Sequence, residues 1–147
     1  MAATAWTLYD KAKKKIGNGT ISLGVDILTM QLHTSASNAS TSTLSIASSV
    51  TSQVANGVGY VTGGKTLTSV TWTVGASAAQ YRLDCADPIW TATGGNITNI
   101  KFAMIRNSAG GSAHALCWSR LTTAKFDLTQ NNTLTVQINA NGVFTLA

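Results

Sequence analysis

The stretch "GYVTGGKTLTSVTWTV", Gly59–Val74, supports two incompatible readings. Its first eight residues fit the phosphate-loop pattern G-x-x-x-x-G-K-[ST] at every required position. That pattern binds a nucleotide only where a buried strand precedes it and a helix begins at the Lys and Ser/Thr. Residues 51–58, "TSQVANGV", are too polar and too Gly-broken for a central parallel strand. After the match, Val70, Trp72 and Val74 alternate in a run rich in β-branched and aromatic residues, which is strand periodicity. No aliphatic run ending in Asp follows to hold magnesium. Gly63-Gly64 therefore reads as a turn between strands, and the nucleotide reading falls.

The same punctuation recurs along the chain. Period-two or β-rich runs are expected as strands at 59–61, 66–74, 80–85, 97–105, 113–121, 133–138 and 143–146, separated by Gly94-Gly95-Asn96, residues 107–111, Gln130-Asn131-Asn132 and Asn141-Gly142. A first strand is expected from Thr20, with Ile21, Leu23, Val25 and Ile27 on one side, running on to Leu32. Residues 44–54 form a weak, Ser-rich segment, either a short helix or an irregular edge, and the Ser/Thr-rich stretch 35–52 is expected to be a mobile loop. Many short strands with a single Pro imply an all-β fold, an antiparallel β-sandwich or jelly roll.

One segment carries the helical period. A helix is expected over residues 5–15, with Ala5, Trp6, Tyr9, Ala12 and Ile16 on one side and Lys11, Lys14 and Lys15 on the other, Thr4 as N-cap and Gly17 as the stop. The chain thus divides into a short N-terminal α-helix or arm, 1–18, and a single sandwich domain, 19–147. Docked on the body, the helix would show a solvated basic face, and its removal would lower stability by exposing apolar sheet surface. As an arm it would pack on a neighbouring subunit through Trp6 and Tyr9, with Lys11, Lys13, Lys14 and Lys15 drawn to acidic surface, and its removal would leave the body folded.

Composition bounds the function. One domain of 147 residues carries only 10% charged residues and no Glu, and its surface must rely on hydroxyls and amides, as suits a protein packed among others. The net charge of +5 comes largely from the four clustered lysines, with no second basic cluster and no aromatic-basic motif, so direct nucleic-acid binding is not expected. No stretch approaches the ~20 apolar residues of a membrane helix, and no membrane partner is expected. The first ten residues lack the basic start and apolar run of a secretory leader, so the thiols of Cys85 and Cys117 are expected to stay reduced and buried. Sequon-like triplets at Asn18, Asn38, Asn96 and Asn131 then read as turns.

Candidate chemistry is sparse. His33, Cys85, His114 and Cys117 supply enough ligands for zinc, but the odd spacing of His114 and Cys117 sends their side chains to opposite faces of a strand. Ser108, Gly110, Gly111 and His114 in "IRNSAGGSAH" are what a hairpin loop would contain, and Asp84 and Asp87 beside Pro88 read as a turn. No cofactor, metal site or catalytic residue is assigned, and no enzymatic activity is expected. Trp72 and Trp118 read as core, Trp90 as covering one end of the sandwich.

The segments "LYDKAKKKIGNGTISLGVDILTMQL", "ANGVGYVTGGKTLTSVTW", "DPIWTATGGNIT" and "NNTLTVQINANGVFTL" together resemble a family of small virion proteins of tailed bacteriophages. The resemblance runs over most of the chain and is weakest in the Ser/Thr loop after His33. It implies a β-rich structural protein of the particle: a cement or decoration protein on the outside of the capsid, partnered by the major capsid protein and by itself as a homotrimer or homodimer. The virion would be assembled in the host cytoplasm. A tail or fibre-adaptor component is the alternative within that family, and a carbohydrate-binding surface module is the alternative of another class. The motifs mark turns and strands, so no functional residue carries over.

Overall fold

The computed structural model describes residues 4–108 and 113–147. The fold is all-β with one short helix and several antiparallel sheets in a sandwich-like arrangement. The strands are β1 (Thr7–Leu8), β2 (Leu28–Thr34), β3 (Lys65–Thr66), β4 (Thr71–Val74), β5 (Tyr81–Asp84), β6 (Ile89–Thr91), β7 (Ile97–Asn107), β8 (His114–Arg120), β9 (Phe126–Leu128), β10 (Thr133–Thr135) and β11 (Phe144–Leu146). The main sheet runs β1-β8-β7-β2-β3, with β9 pairing the start of β7. Smaller sheets are β10-β6 and β11-β5-β4.

Both faces of the main sheet are covered. Register places Met30, Ile105 and Cys117 side by side on one face, with Leu32, Ala103 and Ser119 beside them, all buried. Lys65 pairs with Met30, and its Nζ reaches the Ile89 carbonyl and lies 5.9 Å from the Trp90 ring centre, so β6 overlies this face. The other face carries Gln31, Met104 and Trp118 in one row and His33 and Phe102 in the next. It is covered by the segment 35–54 and by the helix α1 (Asp10–Gly17). Burial on both faces extends to the polar side of β2, where Thr29, Gln31 and His33 are buried as well as Leu28, Met30 and Leu32.

The region opened by Gly59 is organised by backbone turns. Tyr60 forms an isolated bridge with Gly57, and Gly63 and Gly64 both take positive φ, with the Gly64 N–H donating to the Val61 carbonyl at 2.9 Å. Lys65 enters a strand and its ammonium is committed to β6, so no phosphate cradle exists here. The expected strand 66–74 breaks in two at Ser69, whose φ is 52°.

The expected first strand needs correction. Residues 20–27 form a turn: the Ser22 N–H donates to Asp26 Oδ2 at 2.8 Å, and the Asp26 N–H returns to the Ser22 carbonyl. Ile21 and Leu23 are buried, but Val25 is 83% exposed and Ile27 61%. An Asx-type side chain bond offered the backbone an alternative to the ladder, and the strand starts only at Leu28. The Ser/Thr-rich loop, expected to be mobile, instead packs as a cover. Asn38 clamps it by accepting from the Thr51 N–H at 2.8 Å and donating to the Ser49 carbonyl at 3.0 Å, and residues 47–49 make one 3-10 turn.

His33 lies beneath this cover. Its Nδ1 donates to the Thr51 carbonyl at 3.0 Å, and its buried Nε2 has no hydrogen-bond partner. Burial holds its pKa below the ordinary 6.5, and the Thr51 bond opposes this only in part. A folded-state pKa below the unfolded one contributes stability that is present above the unfolded value and lost as pH falls through the folded one. Thermal unfolding should therefore occur at lower temperature as pH drops from 7 towards 5, and His33→Gln should flatten that part of the profile. An unchanged slope in the variant would remove His33 as the cause.

Candidate interaction surface

The six residues expected to form an interaction arm do not act as a unit. Instead of starting a helix, Thr4 extends the main sheet: its N–H donates to the Arg120 carbonyl at 2.9 Å, and its hydroxyl accepts from the Arg120 N–H at 3.0 Å. Thr7 and Leu8 then pair with Trp118 and Cys117. The helix begins only at Asp10, with Tyr9 as N-cap, and its last residue is Gly17, with Asn18 as C-cap. A short isolated helix is marginal in water, whereas the open edge of β8 offers backbone partners to any chain lying beside it. Tertiary pairing overrode the helical pattern of residues 5–8.

Tyr9 is fully buried and its hydroxyl donates to the Ala39 carbonyl at 2.6 Å. Burial pushes its pKa well above the usual phenol value. It is a core residue that ties α1 to the loop cover, not an interface anchor, and Ala12 beneath it is equally buried. Of the two expectations, this packing agrees with the docked segment and not with an arm that detaches without harm; Met1–Ala3 lie outside the described residues.

Lys11, Lys13 and Lys14 are exposed, and Lys13 lies 3.5 Å from Asp10 on the same surface. Lys15 turns away from them. Its Nζ is 3.0 Å from Ser45 Oγ and 2.7 Å from His114 Nδ1, which fixes His114 as a neutral acceptor. Burial lowers the pKa of Lys15, and burial followed by the nearby ammonium lowers that of His114. The contact fastens the end of α1 to β8. Of the loop weighed for catalysis, Gly110 and Gly111 lie outside the described residues. Among the described residues no group of three or more His, Cys or Asp could hold a metal ion. Cys85 and Cys117 are free and buried, and burial holds the Cys85 thiol up at about 11.

Trp6 is the one expected anchor that borders open space. It is half-buried and lines a groove of about 1130 Å³ together with Thr4, Leu121, Val136 and Phe144. One wall of the groove is the segment 133–139. The Ala92 N–H donates to the Asn132 carbonyl and the Val136 N–H to the Pro88 carbonyl, which turns the backbone groups of Thr133 and Thr135 away from β6. The groove thus holds an unpaired strand edge beside an indole ring, a combination suited to an added strand or an apolar knob. The run 133–138 was legible as a strand, but its edge status was not, because edges are set by which strands come last in each sheet.

A second apolar surface lies on the β4–β5 hairpin. Trp72, Val74 and Tyr81 share one face, with Trp72 stacked on Tyr81 at 5.9 Å and tilted against Phe144 at 6.3 Å. Trp72 is only partly buried, since Val74 and Tyr81 at the hairpin tip stand half exposed beyond the core. Among the described residues no helix is long and apolar enough to cross a membrane. No protein-family model, curated protein sequence or solved structure matches the chain.

Proposed function

We propose that this chain is a non-enzymatic structural protein of a tailed-phage particle, docking on the major capsid protein as a cement or decoration protein. The observation that supports this reading is the Trp6 groove, where an open strand edge adjoins an aromatic ring and Asp87 is the one carboxylate among the described lining residues. Exposed Lys11, Lys13 and Lys14 lie on α1, a few residues after Trp6 in the chain, and would attract acidic capsid surface. A low-charge shell binder gains strength from many modest contacts repeated by symmetry.

Cosedimentation of the purified protein with assembled capsids lacking it tests the proposal. Saturable binding at a copy number matching the lattice is expected, weakening with salt. The triple variant Lys11→Ala, Lys13→Ala, Lys14→Ala should bind more weakly and lose its salt dependence while its stability stays within about 0.5 kcal/mol of the parent. Failure to bind mature shells would overturn the cement role and direct the search to the tail or fibre apparatus.

A further inference from the structure

Arg106 presents an unresolved charge. It sits in β7 between Thr29 of β2 and Ala115 of β8, at the bulge in the β7–β8 pairing. Its side chain is half-buried, and its Nε is buried without a hydrogen-bond partner. Among the described residues the only ion pairs are Lys13–Asp10 and Arg82–Asp84, so no carboxylate neutralises it. The other acids are used elsewhere: Asp26 accepts from Ser22 and Asn107, Asp87 from Ile138, and Asp127 from Asn99. The sequence contains no Glu that could serve.

The residue borders a cleft of about 460 Å³, shared with Gln31, Ile46, Ala47, Ser48, Val50 and Gln53. Burying the Nε–H of a guanidinium without an acceptor is unfavourable, and a carboxylate entering the cleft would relieve that cost through a charge-assisted, two-pronged hydrogen bond. Ser48 and the two glutamines offer further polar groups. Ile46, 42% exposed, supplies an apolar lip. A space this small admits a side chain and not a folded partner, and among the described residues no aromatic ring lines it to stack on a sugar.

We propose that the Arg106 cleft receives the carboxylate of an Asp or Glu side chain projecting from a protein partner. The inference deepens the docking role proposed above and rests on it for the partner. Its test is independent, because a small probe can fill the cleft whether or not capsids bind.

The experiment is a titration of the 15N-labelled full chain with N-acetyl-glutamate N-methylamide, following the Arg106 Nε–H and the backbone amides of Ala47 and Gln53. Saturable shifts with an affinity on the order of 10 mM are expected, as for a single ion pair. The neutral N-acetyl-glutamine N-methylamide should give none. Arg106→Lys, which keeps the charge but loses the fork, should weaken binding by about tenfold, and Arg106→Gln should abolish it, with thermal melts confirming that each variant is folded. Absence of a shift, an equal response to chloride or to the neutral probe, or unchanged binding by a folded Arg106→Gln variant would overturn the carboxylate site. Tighter binding of glucuronate than of the peptide acid would overturn the protein side chain as occupant in favour of an acidic sugar.

Discussion

Gly64→Ala is expected to leave little or no folded protein. Gly64 has a φ of +83°, and a Cβ added there would lie 2.0 Å from the Met30 carbonyl oxygen, 2.7 Å from its carbon and 2.9 Å from the Gln31 Cα. All three are backbone atoms of β2, a central strand of the main sheet, and cannot swing aside as a side chain could. Either the turn or the sheet must move. A clash with a buried strand combined with left-handed backbone belongs among the rare substitutions costing more than about 4 kcal/mol, a large share of a typical domain's stability. The control is Gly94→Ala: φ there is +74°, but nothing lies within 4 Å of the added Cβ, so only conformational strain remains. Expression, circular dichroism and thermal melts of the two variants separate the effects. A Gly64→Ala protein that melts within a few degrees of the Gly94→Ala protein would show that the turn does not approach β2 as described.

Tyr9→Ala should cost roughly 3–5 kcal/mol, the range for deleting a buried aromatic side chain. The ring is fully buried and its hydroxyl closes the contact with Ala39. Tyr9→Phe keeps the ring and removes only the donor, and should cost about 1–2 kcal/mol by leaving the Ala39 carbonyl unsatisfied. Denaturant unfolding of both variants, together with deletion of residues 1–16, decides whether the N-terminal segment belongs to the body. Integration predicts that the deletion unfolds the protein or leaves it much less stable, because it removes Tyr9 and Ala12 from the core and strips the partner from β8. A truncated protein as stable as the parent would restore the detachable arm.

Much of the β architecture was written locally. The runs at 80–85, 97–105, 113–121 and 143–146 became β5, β7, β8 and β11 with small shifts at their ends. Alternation and turn chemistry act within a few residues, so they can be read without the fold. Asn18 likewise serves a turn, accepting from the Thr20 N–H, whereas Asn96 accepts from the distant Gln130 N–H and ties two segments together. Short β6 and β9 were not legible, for three residues carry too little pattern to distinguish a strand from a loop.

The candidate site was less visible, since each of its parts depends on what lies far away in the chain. Trp6 signalled an anchor, but the groove beside it is made by residues 121–145. Tyr9 carried the same aromatic signal as Trp6 and ended in the core, because the cover from residue 39 reached it. Arg106 gave no signal at all: a lone Arg in a strand is ordinary until no acid arrives to meet it.

The sequence by itself determined that this chain is β-rich, that its glycines and asparagines mark turns, that Gly63-Gly64 is punctuation and not a nucleotide cradle, and that charge is scarce except on one short helix. Only the tertiary structure decided that residues 4–8 join the main sheet, that the Ser/Thr loop seals one face of it, and which strand edges and cations remain open. The division has a physical basis. Backbone preference and side-chain alternation are properties of neighbouring residues, whereas edge pairing, burial and charge neutralisation are settled by whichever distant segment gets there first.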